Sequence, residues 1–98
     1  MIKIKYKAEV LFRNIIQADY YFGNLSHPDQ VARNVAERIR GRFSYFVIRI
    51  INEDGDRWNY SVMKTPDGKF RVRKMKTKYR IYTRDDLDMI FTGNKTIA

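Results

Sequence analysis

Cysteine is absent from the 98-residue sequence, which excludes disulfides and zinc–thiolate sites as sources of stability. No stretch approaches the roughly 18 apolar residues of a membrane-spanning helix. The residues after Met1 read IKIKYKAEV, unlike the apolar core of a signal peptide. These absences predict a single cytoplasmic domain over residues 1–98 that is held together by its own hydrophobic core.

Residue types that carry catalysis are also scarce. His27 is the one histidine, and its place at the start of a predicted helix favours a solvated or capping role. Asp85, Asp86 and Asp88 come at the start of a second predicted helix, where the helix dipole explains them better than a metal ion does. We find no phosphate-binding glycine loop and no convincing Ser-His-Asp set. The sequence therefore predicts a binding protein with no enzymatic activity, no metal and no cofactor.

Acidic residues are outnumbered by basic ones. The 11 aspartates and glutamates face 20 lysines and arginines, which gives a formal net charge of +9. A balance of this kind favours polyanionic partners, and phosphate backbones are the commonest of these. An acidic protein surface or an anionic lipid leaflet satisfies the same requirement.

The first half of the sequence predicts strand structure followed by a helix. Residues 1–10 alternate between apolar and charged side chains, which indicates a strand with one buried face. Residues 11–22 fit either helical or strand spacing, and we favour extended structure that ends at Gly23. SHPDQVARNVAERIRG (26–41) predicts a helix capped by Ser26. Its apolar stripe consists of Val31, Ala32, Val35 and Ile39.

Three strands and a second helix are predicted in the rest of the chain. Residues 43–51 are apolar on both faces, as in a covered central strand, and residues 57–65 follow as the next strand. The turn TPDGK then leads into the third. Thr83 and Asp86 form a capping pair for the helix RDDLDMIF, which we expect to end at Gly93. The order β-α-β-β-β-α predicts an α+β fold: an antiparallel sheet of about four strands, with two helices most simply packed on one face.

The stretch KFRVRKMKTKYR (69–80) carries the strongest functional signal. Seven of its twelve residues are basic and none is acidic. The basic residues are Lys69, Arg71, Arg73, Lys74, Lys76, Lys78 and Arg80. Charged and apolar side chains alternate along the stretch, but the alternation inverts after Arg73. A β-bulge or a break at Arg73–Lys74 would restore one basic face and one apolar face.

A basic face of this kind has two explanations, which we weigh about equally. Lysines and arginines protect the edges of sheets and keep proteins soluble. Seven like charges in one strand also repel one another, and a partner that carries several phosphates relieves this repulsion. On the second explanation these residues bind an anion, and Lys3, Lys5 and Lys7 extend the patch if the first strand lies close.

Parts of this sequence resemble two known protein families. The order α-β-β-β-α is similar to that of the double-stranded-RNA-binding domain, although TRDDLDM stands where that family has a lysine-rich helix start. The second resemblance rests on successive motifs along residues 20–91. These are YYFGNL (20–25), FVIR (46–49), WNYSV (58–62), KFRVRK (69–74) and DLDMIF (86–91). They are similar to motifs of the Src-homology-2 family, which binds phosphotyrosine peptides.

The Src-homology-2 resemblance implies roles for three basic residues. Arg49 would be the buried phosphate-binding arginine, and Lys69 and Arg71 would flank the phosphotyrosine ring. His27 stands where an arginine is usual, and the loop IINEDGD lacks the hydroxyls that normally hold the phosphate. Apart from the resemblance, Arg49 within FVIRII is best explained as a long side chain that reaches solvent from a partly covered sheet.

Three functions fit these observations. The first is a non-catalytic protein whose basic sheet face binds nucleic acid, mainly through the phosphate backbone and so with little sequence selectivity. The second is a small protein of the phage or mobile-element type that inhibits or adapts a host protein by docking on an acidic surface. The third is phosphopeptide binding through Arg49. We take the first as the leading hypothesis.

Overall fold

The computed structural model of the protein describes residues 3–75, 83–92 and 96–98. Within these residues the chain forms five strands and two helices, in the order β1 (Tyr6–Phe12), β2 (Ile15–Phe22), α1 (Pro28–Ile39), β3 (Tyr45–Asn52), β4 (Arg57–Lys64), β5 (Phe70–Met75) and α2 (Arg84–Phe91). The strands make one antiparallel sheet with the spatial order β2-β1-β3-β4-β5. The predicted α+β class, with an antiparallel sheet and two helices, is confirmed. The sheet has five strands, one more than the sequence indicated.

The additional strand comes from residues 11–22, whose spacing fits either a helix or a strand. β1 and β2 form a hairpin whose turn places Arg13 and Asn14 at positive φ angles of 53° and 64°. Two successive residues in this conformation match the right-handed twist of the flanking strands, and asparagine tolerates it better than most residues do. The expected extended structure is therefore confirmed, while the turn inside it went unpredicted because no glycine marks it.

α1 covers one face of the sheet. Its N-cap is His27, one residue after the predicted Ser26. The side-chain oxygen of Gln30 accepts hydrogen bonds from the backbone N–H groups of Ser26 and His27, at 3.1 and 3.3 Å. Gln30, rather than the Ser26 hydroxyl, therefore organises the helix entry. The predicted apolar stripe is confirmed, since all four of its residues are buried: Val31, Ala32, Val35 and Ile39.

The core lies between α1 and the sheet. Alternate residues of β1, β3 and β4 point toward α1 and pack with its apolar stripe into one cluster. Fully buried strand residues in this cluster include Val10, Phe46, Ile48, Ile50 and Val62. Phe70 and Val72 of β5 pack against its edge. We call the side of the sheet that α1 covers the near face, and the opposite side the far face.

The far face changes in character across the sheet. Leu11 of β1 and Ile51 of β3 are buried there, although neither belongs to the cluster under α1. Far-facing residues of β5 are exposed. The sheet is thus covered on both faces near β1 and on one face only near β5, which leaves a surface available for a partner at the β5 edge.

α2 begins with the predicted capping pair. The backbone N–H of Asp86 donates to the Thr83 hydroxyl at 3.1 Å, and the backbone N–H of Thr83 donates to the Asp86 carboxylate at 3.3 Å. Leu87 is buried, but outside the cluster under α1. Gly93, where we expected the helix to end, lies outside the described residues. Within the described part of the chain, neither helix has the length and apolar character needed to cross a membrane.

Candidate nucleic-acid interface

β5, which carries the first part of the basic stretch, is an unbroken edge strand. Its pairing with β4 runs without a shift in register over Phe70–Met75. The predicted bulge or break at Arg73–Lys74 is therefore wrong. Lys74 points to the near face, like Val72, and is exposed there. A long side chain on an edge strand reaches solvent from either face, so no bulge is needed to keep Lys74 out of the core.

The predicted binding residues consequently divide between the two faces. Arg71 and Arg73 lie on the far face, and Lys74 lies on the near face. Lys69 belongs to the turn that precedes β5. The other three, Lys76, Lys78 and Arg80, lie outside the described residues.

Arg71 and Arg73 share the far face with large apolar side chains that are exposed. Tyr45 and Met63 are each 47% exposed, and Met75 is 37% exposed. We call this set the platform: Tyr45, Met63, Arg71, Arg73 and Met75. The exposure of Tyr45 was not predicted, because the run FSYFVIRII is typical of a strand that is covered on both faces. Exposed apolar side chains grouped at one place often mark an interaction surface.

Strand register sets the layout of the platform. Tyr45 on β3 pairs with Met63 on β4, which pairs with Arg71 on β5, so these three residues form one row across the sheet. Arg73 begins the next row. Neighbouring strands lie about 4.8 Å apart, and alternate residues of one strand lie about 6.6 Å apart. The platform is therefore a shallow surface with two guanidinium groups along one edge and an aromatic ring about 10 Å inward from them.

None of the residues that β3, β4 and β5 direct to the far face carries a carboxylate. The charged residues that point to this side are Arg49, Arg57, Arg71 and Arg73. The chain outside the described residues contains no aspartate or glutamate that would supply an acidic partner. The charged residues that these strands contribute to the far face are therefore all cations, although Asp67 of the turn before β5 lines a shallow cavity together with Lys69 and Arg71.

Arg49 lies on the far face but is paired within the protein. Its Nη1 is 3.5 Å from Oε1 of Glu9, and Oε2 of Glu9 is 3.5 Å from Nζ of Lys7. Glu9 is only 7% exposed, so these two cations compensate a carboxylate that is removed from water. The ion pair gives Arg49 a structural role that its sequence context does not reveal, because Glu9 lies 40 residues away along the chain.

The grouping implied by the Src-homology-2 resemblance is not formed. Arg49 pairs with Asn59, which pairs with Met75, and Met75 is four residues from Arg71 along β5. Four residues of a strand span roughly 13 Å, and β5 is also two strands away from Arg49. Lys69 lies beside α1. The structure therefore does not bring Arg49 together with Lys69 and Arg71 around one anion.

A second basic region, which we call the groove, lies on the near face between α1 and β5. It encloses about 410 Å³, and its lining includes Arg33, Glu37, Arg40, Lys69, Phe70 and Val72. The Glu37 carboxylate is 3.4 Å from Nε of Arg40. Lys69 lines the groove and also a shallow cavity that includes Arg71, so it lies between the groove and the platform. Arg33 and Arg40 were not predicted as site residues, because they occupy the solvated side of the predicted helix.

Another carboxylate lies beside the groove. The Tyr60 hydroxyl donates a hydrogen bond to Asp29, which lines a smaller cavity of about 140 Å³ together with Arg33 and Lys74. Burial and the hydrogen bond to Asp29 raise the pKa of Tyr60 above its ordinary value of 10.0. On the near face, then, cations are accompanied by acidic groups.

Lys3, Lys5 and Lys7 do not extend the basic surface of β5. β3 and β4 lie between β1 and β5, so the condition under which these lysines would join the patch is not met. Lys3 pairs with Glu53 at 2.9 Å, and Lys7 lies beside Glu9. Lys5 is exposed on the segment that leads into β1.

Comparison with known protein families, with curated proteins and with solved structures found no match to this chain. Among the residues described by the structure, no group of three or more histidine, cysteine, aspartate and glutamate side chains is placed to hold a metal ion. The function of the platform therefore has to be inferred from its own geometry and charge.

Proposed function

We propose that the protein binds nucleic acid through the platform, with Arg71 and Arg73 contacting backbone phosphates. The observation that carries this proposal is the exposure of both arginines, without an ion pair among the described residues, on a face to which β3, β4 and β5 contribute no carboxylate. A guanidinium group matches the geometry of a phosphate and donates two hydrogen bonds to it. Release of counterions from the nucleic acid then supplies much of the affinity.

Protection of the sheet edge accounts for only part of the platform. Charged side chains on an edge strand such as β5 do prevent pairing with other chains. Edge protection does not, however, require an exposed tyrosine and two exposed methionines beside the charges. Basic residues interleaved with aromatic and apolar ones are typical of surfaces that bind nucleic acid.

An acidic protein surface is the second candidate partner. Tyrosine, methionine and arginine are also the residues enriched at protein–protein interfaces, and the platform contains all three types. Such an interface would show a gentler salt dependence, because only part of it is ionic. Phosphopeptide binding through Arg49 gains no support from the geometry, since Nη1 of Arg49 pairs with Glu9 and the guanidinium group lies far from Lys69 and Arg71.

Charge reversal of both platform arginines tests the proposal. Arg71→Glu with Arg73→Glu is compared with Arg33→Glu plus Arg40→Glu, which changes the net charge equally on the near face. Binding to labelled duplex and single-stranded oligonucleotides of random sequence is measured by fluorescence anisotropy over a range of salt concentrations. We expect the platform variant to lose roughly tenfold or more in affinity at low salt, and its duplex salt slope to fall by about two.

Two results would contradict this proposal. If the parent protein binds no nucleic acid even at low salt, the protein-partner candidate takes its place. If the near-face variant loses as much affinity as the platform variant, the platform is not the interface. Denaturant unfolding serves as the control for folding, because substitutions at exposed positions such as Arg71 and Arg73 change stability by about 0.5 kcal/mol or less.

A further inference from the structure

We propose that the platform prefers single-stranded nucleic acid, with a base stacked on Tyr45 while the phosphates lie on Arg71 and Arg73. This inference rests on the proposed function and specifies its ligand class. Its basis is two guanidinium groups that form no ion pair with a described residue, on the same face as an exposed tyrosine that shares one row of the sheet with Arg71.

A duplex would use only part of the platform. The major groove of B-DNA admits a helix or a two-stranded ribbon, whereas the platform spans three strands of a broad sheet. A duplex lying on it would meet the arginines with its phosphates and leave Tyr45 and Met63 against a hydrated backbone. A single strand presents the faces of its bases as well as its phosphates, so it contacts charged and apolar members together.

The row that joins Tyr45, Met63 and Arg71 can contact the base and the phosphate of one nucleotide at its two ends. With roughly 10 Å between its two ends, a nucleotide whose phosphate lies on Arg71 directs its base inward over β4 toward Tyr45. Arg73 lies on the same side of β5, about 6.6 Å further along, in position for a neighbouring phosphate. The strand of nucleic acid would therefore run along the β5 edge with its bases over the sheet.

Tyr45 is also available to stack on a base, unlike other tyrosines in the described part of the chain. Tyr6 donates a hydrogen bond to the Ser26 carbonyl oxygen at 3.1 Å, and Tyr60 donates one to Asp29. A guanidinium group, that of Arg38, lies over the Tyr20 ring at 5.6 Å. Among the described residues, Tyr45 makes neither a hydrogen bond nor a ring contact of this kind. Tyr45 is thus half exposed and has no such partner in the described part of the chain, as a stacking surface requires.

The test compares one sequence as a single strand and as a duplex, with the parent protein, Tyr45→Ala and Tyr45→Phe. We expect the parent to bind the single strand more tightly. Tyr45→Ala should lower single-strand affinity by roughly 5- to 150-fold, the range for loss of one stacked base, and leave duplex affinity unchanged. Tyr45→Phe keeps the ring and should retain nearly the parental affinity for the single strand.

The outcomes separate this inference from the proposed function. Equal parental binding to both forms, with no effect of Tyr45→Ala, would overturn the single-strand preference and leave binding through phosphates alone. Equal losses for both forms in Tyr45→Ala would overturn the stacking role. Binding to neither form would remove the proposed function and this inference with it.

Discussion

The platform and the groove both present arginines at the surface, but they differ in what surrounds those arginines. In the groove, the Arg40 guanidinium group lies 3.4 Å from the Glu37 carboxylate, and Asp29 lies in the adjoining cavity. Arg71 and Arg73, in contrast, form no ion pair with a described residue, although Asp67 lines a shallow cavity together with Arg71. Arginines that are free of ion pairs, more than the number of cations, therefore mark a candidate anion site in a chain that carries +9 overall.

The two faces of the sheet can be compared within a single strand. Phe46 points into the near-face core and is fully buried, whereas its neighbour Tyr45 is half exposed on the platform. One contributes to stability, and the other is free to contribute to binding.

The largest effect should come from the buried member of this pair. Phe46→Ala leaves a cavity under α1 and should lower the free energy of unfolding by about 3–5 kcal/mol, whereas Tyr45→Ala should cost about 1 kcal/mol or less. Urea unfolding followed by circular dichroism measures both. Similar losses for the two variants would mean that Tyr45 is part of the core, and the contrast between the faces would fail.

A second substitution tests whether Arg49, which is paired within the protein, has the structural role that Arg71 and Arg73 lack. Glu9→Gln removes the charge that compensates Arg49 and Lys7 in a largely buried setting. We expect a loss of roughly 2–3 kcal/mol in the free energy of unfolding. This is at or below the lower limit for breaking a fully buried ion pair, because both cations keep some contact with water. The matched control is Glu53→Gln, which removes the carboxylate that pairs with Lys3. Because Glu53 is more exposed than Glu9, this change should alter stability by less than about 1 kcal/mol.

The smallest effect is expected from removing the hydrogen bond between Tyr60 and Asp29 beside the groove. Tyr60→Phe removes the hydrogen bond to that carboxylate and should cost about 1 kcal/mol at neutral pH. Because the folded state raises the pKa of Tyr60, the contribution of the protonated hydroxyl is complete below pH 10.0 and is lost as the pH rises above it.

The parent should therefore lose up to about 1.4 kcal/mol per pH unit above pH 10 relative to Tyr60→Phe, which has no hydroxyl to titrate. Denaturant unfolding of both proteins from neutral pH to about pH 11 measures this difference. Parallel pH profiles for the parent and the variant would show that Tyr60 is not held by Asp29.

Features set by local spacing were predictable from the sequence. The apolar stripe of α1, the capping pair Thr83 and Asp86 and the turn before β5 each depend on residues within a few positions of one another, and each is present in the structure. Such patterns are sufficient for the α+β class. The hairpin turn at Arg13 and Asn14 is equally local, but it lacks the glycine that usually identifies one.

The candidate site depended instead on pairing between distant residues. The exposure of Tyr45 follows from its register with Met63 and Arg71 at one side of the sheet, which no single stretch of sequence specifies. The role of Arg49 follows from a strand forty residues earlier. We predicted a bulge at Arg73–Lys74 on the assumption that a charged side chain on the core-facing side of the strand must be buried. That assumption fails for an edge strand, where such a side chain can reach solvent.

The position of the platform within the sheet also bears on the order of folding. β3, β4 and β5 follow one another through short turns, and all five platform residues belong to them. β1, in contrast, pairs with β3 across the whole of α1, as in the contact of Tyr6 with Asn52. Because short loops lose less chain entropy on closing, the β3–β5 meander pairs more readily than β1 pairs with β3. The strand register on which the platform depends is therefore set by the pairings that close the shorter loops, before β1 has to join β3.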